Sequence, residues 1–136
     1  MEHVADAYVA AYGETLEEAF ENAALAMFEV MTDTGTIDPE IEDYLEVKGE
    51  DEFALLYNWL EQLLLKFETV NMLYSKFKIL RIDKKPSEFS LEARIYGEAF
   101  NPEKHPPKVA VKAVTYHQME IKQTGEGYTL RYILDL

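Results

Sequence analysis

"LYSKFKILRIDKKPSEFSLEARIYGEAF", residues 73–100, is where the periodicity of this chain changes from helical to extended. Phe89, Leu91, Ala93 and Ile95 alternate with Ser90, Glu92, Arg94 and Tyr96, and a period of two puts the first set on one face of a strand. The segment before it reads as a second strand, and "KKPS" at 84–87 is the turn between them. The two halves therefore form a hairpin.

Upstream the period is helical. In "GETLEEAFENAALAMFEVM", residues 13–31, Thr15 and Glu18 form a capping box. Leu16, Ala19, Phe20, Ala23, Ala24, Met27, Phe28 and Met31 then make one apolar stripe. Gly35 lies beyond its end. A second helix is expected in "EDEFALLYNWLEQLLLKFET", residues 50–69, with Asp51 as N-cap. Its stripe is read as Phe53, Leu56, Tyr57, Leu60, Leu63, Leu64 and Phe67, with Trp59 beside it. Between the helices, "DTGTIDPEIED" is a polar connection and "YLEVKG" a short strand.

Downstream, "NPEKHPP" at 101–107 is a proline-rich loop that puts His105 at the surface. "VAVKAVTYHQMEIKQT", the turn "GEG" and "YTLRYILDL" then read as a terminal hairpin, and "VADAYVAAYG" as an opening strand. This order gives an α+β fold, a single domain over 1–136 with a mostly antiparallel sheet and two amphipathic helices packed on one face. No internal repeat is visible. Most of the nine tyrosines sit at strand or helix positions where a core role suffices.

Composition narrows the chemistry. The 136 residues include no cysteine, which removes disulfides, zinc-thiolate sites and thiol nucleophiles. Twenty-six acidic against 13 basic residues give a net charge of −13, which repels a phosphate backbone and argues against strong direct binding to nucleic acid. A partner with a basic face or a divalent cation suits that charge; simple solubility is the commoner explanation of an acidic balance. The first residues lack the pattern of a signal peptide, and no apolar run is long enough to span a membrane, so a soluble cytoplasmic protein is expected. Gly-rich phosphate loops, nucleophile elbows and paired metalloprotease histidines are all missing.

Two carboxylates stand out by position. Asp6 lies within the opening strand, and Asp135 precedes the final Leu136. If the last strand pairs beside the first, both meet at one edge near the C-terminal carboxylate, a hard-oxygen set suited to calcium or magnesium. The alternative is a turn-capping Asp6 and a solvated Asp135, the commoner fate of charged residues. In "KAVTYHQMEI", residues 112–121, alternation puts Thr115, His117, Met119 and Ile121 on one face. His117, with Lys112 and Thr115, is then either a satisfied core group or part of a polar binding surface.

"HVAD", "AYGETLEEAFENAALAMFEVMTD", "KAVTYHQMEI" and the closing "ILDL", in this order and spacing, resemble the archease family over essentially the whole chain. The resemblance implies an accessory protein and not an independent enzyme. Archease-like proteins assist the RtcB-type RNA ligase of transfer-RNA splicing, promoting its GTP-dependent guanylylation and multiple turnover. It further implies a divalent metal site, with calcium as the ion, at Asp6 and Asp135 beside Leu136, and a functional surface that includes His3, Lys112, Thr115 and His117. The family opening is closer to "DHTAD", whereas Glu2 and Val4 stand here at the positions of its aspartate and threonine. The resemblance also implies an alternative role, a chaperone that tunes a transfer-RNA methyltransferase; the carboxylates themselves leave open a metal-dependent hydrolase in which they activate water.

Overall fold

The computed structural model describes residues 5–136. His3, and with it Glu2 and Val4, lies outside the described residues. The described chain runs β1 (Asp6–Gly13), α1 (Leu16–Met31), a single 3₁₀ turn (Thr34–Thr36), β2 (Ile41–Gly49), α2 (Glu52–Val70), β3 (Met72–Lys84), β4 (Phe89–Ala99), β5 (Ala113–Thr124) and β6 (Gly127–Asp135). The α+β class, antiparallel strands and two packed helices are as the sequence pattern implies. The strands divide into two three-stranded sheets, ordered β1-β6-β5 and β2-β4-β3, with every pairing antiparallel.

The two orders are the same order. Each unit is β-α-β-β with its first strand paired to its last, and the second unit, β2-α2-β3-β4, is inserted between α1 and β5 of the first. The match extends to side chains spaced 36 residues apart. Thr15 and Asp51 are the N-caps, accepting from the Glu18 and Ala54 amides. The Asn22 Nδ2 donates to Tyr12 O at 2.6 Å, and the Asn58 Nδ2 to Lys48 O at 2.7 Å. Gly13 and Gly49 let the helix backbone come so close that a Cβ there would meet Ala19 N at 2.3 Å or Leu55 N at 2.5 Å. An internal repeat is thus present. Only a few residues per unit carry it, because the helix faces were filled with different apolar side chains.

The helices form a layer between the sheets. α1 packs on β1 and β6 of one sheet and on β3 of the other, while α2 packs on β2 and on β5. One apolar cluster runs through all three layers. Trp59 is fully buried and donates its Nε1–H to Phe20 O across the helix pair at 3.0 Å; Tyr132 donates to Ala23 O at 2.6 Å. The stripe of α2 is rotated from the one read in sequence: Leu55 and Trp59 are in the core, and Phe53 is exposed. A helix covered on two sides buries a wider arc than one stripe.

His105 is the other correction. It is fully buried under the proline-rich loop, with Phe100 stacked against its ring. Its Nδ1 accepts the Asn101 N–H at 2.9 Å, so the ring proton sits on Nε2 and is donated to Glu98 at 2.9 Å. Burial pushes the Glu98 carboxyl up, but hydrogen bonds from Lys104, the Asp38 amide and His105 outweigh it and bring the pKa down to about 2. No helix among the described residues is long and apolar enough to cross a membrane.

Gly49→Ala is expected to destabilise by roughly 1–3 kcal/mol through overpacking, whereas Gly125→Ala, where a Cβ meets nothing within 4 Å, is expected to be nearly neutral; thermal unfolding compares them. Because the folded-state pKa of Glu98 is depressed, its contribution is complete above the ordinary value of 4.5 and is lost as pH falls toward about 2. The stability gap between wild type and Glu98→Gln, measured by urea unfolding, should therefore close across that window.

Candidate functional site

The site grows out of the β1–β6 ladder. Asp6 pairs with Asp135, Tyr8 with Ile133, Ala10 with Arg131 and Tyr12 with Thr129. Directly opposed residues share a face, and this set points away from the helices, since the alternate residues Ala11, Leu130, Tyr132 and Leu134 are the ones in the core. Asp6 and Asp135 therefore sit side by side at one end of an open sheet face.

Opposed Cβ atoms in such a ladder lie roughly 4.5–5.5 Å apart, and like charges there are destabilising. Among the described residues neither carboxylate enters an ion pair. The backbone around them is pinned: the Leu136 N–H donates to Ala5 O at 3.0 Å and the Lys112 N–H to Asp135 O at 2.8 Å. Each of those carbonyls keeps a lone pair. The second unit supplies a comparison. Thirty-six residues after Asp6, Glu42 occupies the same place in its sheet, and there Arg94 neutralises it at 2.6 Å. Two carboxylates and the Leu136 segment beside them offer hard oxygen donors, the type that calcium and magnesium take. Among the described residues no group of three or more His, Cys, Asp or Glu side chains converges, so the aspartate pair by itself is not a full set of side-chain ligands.

Lys112 and Thr115 flank this corner, Lys112 through its amide and Thr115 opposite Ile133, one outward-facing pair along from Asp135. His117 is exposed, and neither reading of it as a core group or as a neighbour of Met119 on one face holds. The ladder between β5 and β6 breaks between Thr115 and Glu120, so that Tyr116 to Met119 oppose Tyr132 alone. Three extra residues shift the alternation, and Val114 and Met119 are both buried although five apart. That odd spacing between two apolar residues was the signal in the sequence. Tyr116 anchors the bulge by stacking on Tyr57 of α2, with ring centroids 4.2 Å apart and 13° between planes. A hydrogen bond to Glu61, with burial, pushes the Tyr57 hydroxyl up to about 12. Gln118 pays for the excursion with a left-handed φ of 56°.

The bulge walls a cleft of about 570 Å³ on the outer face, lined by Tyr8, Gln118, Glu120, Arg131 and Ile133 among others. Sequence reading missed it, because it is made by residues that are ordinary singly. Tyr8 and Tyr12 are 74% and 60% exposed, so the expectation that tyrosines serve mainly the core fails on this face.

Fold and site together define a small two-sheet protein built from nested β-α-β-β units, with an acidic pair and a bulge-walled cleft on one sheet. The Archease protein family matches residues 1–136, and this chain belongs to that family. It is 47% identical over 135 residues to Protein archease of Sulfolobus acidocaldarius, covering 99% of this chain and 95% of that one. It is 48% identical over 132 residues to Protein archease of Methanothermobacter thermautotrophicus, covering 97% and 93%. The solution structure of Methanobacterium thermoautotrophicum protein 1598 superposes with a TM-score of 0.82 at 44% identity, over 100% and 96% of the two chains. The crystal structure of a Thermotoga maritima archease, described as a possible chaperone, shares the fold with a TM-score of 0.61 at 19% identity over 100% and 94%.

A left-handed conformation costs an L-residue roughly 1–2 kcal/mol, and glycine returns about half of that gain as backbone entropy. Gln118→Gly is therefore expected to raise the unfolding free energy in urea by about 0.5–1 kcal/mol; a loss of similar size would show that the side chain, and not the backbone, holds the bulge.

Proposed function

We propose that this protein is an accessory factor of an RtcB-type RNA ligase, promoting its GTP-dependent guanylylation and its repeated turnover in transfer-RNA splicing, and that it has no catalytic cycle of its own. The observation that carries this reading is the facing pair Asp6 and Asp135, which among the described residues has no ion-pair partner of the kind that Arg94 gives Glu42. Asp6, Asp135 and the carboxylate of Leu136 would hold a divalent cation, calcium, at the exposed end of the sheet. When bound, that cation would supply positive charge for a phosphate oxygen at the partner's active site. The residues of the chain do the rest: the β1–β6 ladder orients both carboxylates outward, and the Lys112 and Leu136 amides hold the backbone beneath them.

The net charge of −13 supports a protein partner with a basic cleft, steered electrostatically, over direct binding to RNA. Against independent catalysis stands the setting of the described histidines. The His105 ring is occupied by Asn101 and Glu98, and His117 stands exposed on the bulge. Lys112, Thr115 and His117 would contribute contacts to the partner on the side of the sheet next to the bulge.

The test uses the protein with an active RtcB-type ligase. Calcium is expected to raise the melting temperature of the wild type, by the equivalent of about 2.7 kcal/mol at a hundredfold excess over the dissociation constant, and to leave Asp6→Asn and Asp135→Asn unmoved. The same variants should fail to stimulate guanylylation and multiple-turnover ligation. Full stimulation by the double variant would sink the proposal; stimulation of a transfer-RNA methyltransferase, or phosphate-ester turnover by the protein alone, would replace it.

A further inference from the structure

Two three-stranded sheets have four edge strands, β1, β5, β2 and β3, and an open edge is a row of unpaired N–H and C=O groups that another chain can join. Three of the four are obstructed. β5 carries the break between Thr115 and Glu120. β3 has two register shifts, and Glu21 of α1 accepts its Ile79 N–H at 2.8 Å. In β2 the Asp43 carboxylate accepts the Tyr44 N–H at 2.9 Å and is itself held by Lys66 at 2.9 Å. β1 has none of these devices. Its ladder with β6 runs unbroken from Asp6 to Gly13, and the segment contains no Lys, Arg or Pro.

The ladder also tells which groups are open. The Leu136 N–H donates to Ala5 O, and in an antiparallel pair every second residue repeats that role. Ala7, Val9 and Ala11 therefore turn their main chain to β6, while Asp6, Tyr8, Ala10 and Tyr12 turn theirs to the free edge. The Asn22 Nδ2 bond to Tyr12 O agrees with this assignment. Among the described residues it is the one side-chain bond that this row receives.

Comparison of the two units shows how the edge comes to be open. Thirty-six residues before Asp43 and Lys66 stand Ala7 and Val30, both half-buried against the core. An ion pair that closes β2 is thus an apolar pair in the first unit, and the Tyr8 N–H has no acceptor of the kind that Tyr44 has. Asn22 and Asn58 cap Tyr12 O and Lys48 O alike. The difference is confined to the middle of the strand.

A row of alternating donors and acceptors, repeating roughly every 6.6 Å along the strand, is matched by another extended polypeptide. Charge selects which kind. Asp6 stands at one end of the row and Glu14 just past the other, on a protein of net charge −13. A strand bearing Lys or Arg complements them, whereas a second copy of this chain brings a further −13. On the outer face Tyr8 and Tyr12 are exposed with Ala10 between them, so a side chain of the added strand opposite Ala10 enters the gap between two rings.

We infer that the free edge of β1 receives an extended, basic segment of a partner protein as a fourth strand of the β1-β6-β5 sheet. The inference rests on the accessory role proposed above only for the identity of that partner, the ligase, and it sets the docked strand beside the Asp6 corner.

An NMR titration of the isotope-labelled full chain tests it, with a peptide of alternating Lys and Val as long as β1. The largest amide shifts are expected at Tyr8, Ala10 and Tyr12, and hydrogen exchange of the Tyr8 and Ala10 amides should slow at least tenfold at saturation. A peptide of alternating Glu and Val should bind at least tenfold more weakly, and the lysine peptide with every backbone amide N-methylated should not bind. Ala10→Pro removes the central donor on the solvent side of an edge strand, where proline is tolerated, and should weaken binding at least tenfold. Ala7→Asp combined with Val30→Lys transplants the closure of β2 and should do the same; thermal unfolding checks that both variants keep their fold. No binding at millimolar peptide, equal binding of the two peptides, or undiminished binding by Ala10→Pro overturns the inference. A dimer in sedimentation that Ala10→Pro dissolves also overturns it, by giving the edge to a second copy. In the ligase assay Ala10→Pro should keep the calcium-dependent rise in melting temperature and lose stimulation. Full stimulation by Ala10→Pro, where Asp6→Asn has none, overturns the docking edge and leaves the carboxylate site standing. Peptide binding by a protein that stimulates no ligase supports the edge and removes the accessory role.

Discussion

The ladder between β1 and β6 joins the two ends of the described chain, and the other elements depend on its closure. Pairing Asp6 with Asp135 closes nearly the whole chain into one loop, at an entropic cost that grows only slowly with loop length. What offsets that cost is the alternate face of the ladder, where Ala11, Leu130, Tyr132 and Leu134 enter the core against α1. Once β6 is in place, β5 adds to its other edge, and α2 gains the surface on which it packs. The inserted unit is closed the same way by its own first and last strands.

This construction explains why chemistry collects where it does. The inner faces of both sheets are taken up by two helices, so only the outer faces remain for function. On the second sheet those positions are satisfied internally: Arg94 with Glu42, Arg81 with Glu92, and Lys76 over the Tyr96 ring. On the first sheet the corresponding end has two carboxylates opposed, and the middle is left open by the β5 bulge. The left-handed backbone at Gln118 and the opposed carboxylates of Asp6 and Asp135 fall on the same sheet. Structures concentrate such local costs where a ligand or partner repays them.

Much of the fold was legible from periodicity. The helix over 13–31 begins at its capping box as expected, the 84–87 turn joins β3 to β4, and the terminal hairpin turns at Gly125. The opening of β5 was read too early: 109–112 lies before the strand, tethered by single bonds from the Lys108 amide to Met31 O and from the Lys112 amide to Asp135 O. His105 was placed at the surface because its loop is polar and proline-rich. Burial of the ring depended on Glu98, Asn101 and Phe100, whose convergence is not a local property. The 36-residue repeat escaped notice for a related reason. Its markers are a glycine, a cap and an asparagine, each justified by a close approach between helix and strand that exists only in three dimensions.

The sequence by itself determined the class of fold, the two helices and most strands, the exclusion of thiol chemistry, and a family resemblance that pointed to Asp6 and Asp135. Short-range terms settle these: side-chain period, caps, turn residues and composition. Tertiary structure alone decided that the strands split into two sheets, that Asp6 and Asp135 face each other across one ladder, and that Tyr8, Ile133, Gln118 and Glu120 share a cleft. Those arrangements depend on register and on a three-residue excursion in β5. A one-residue slip exchanges the two faces of a strand, and only packing against the helices selects which register is kept.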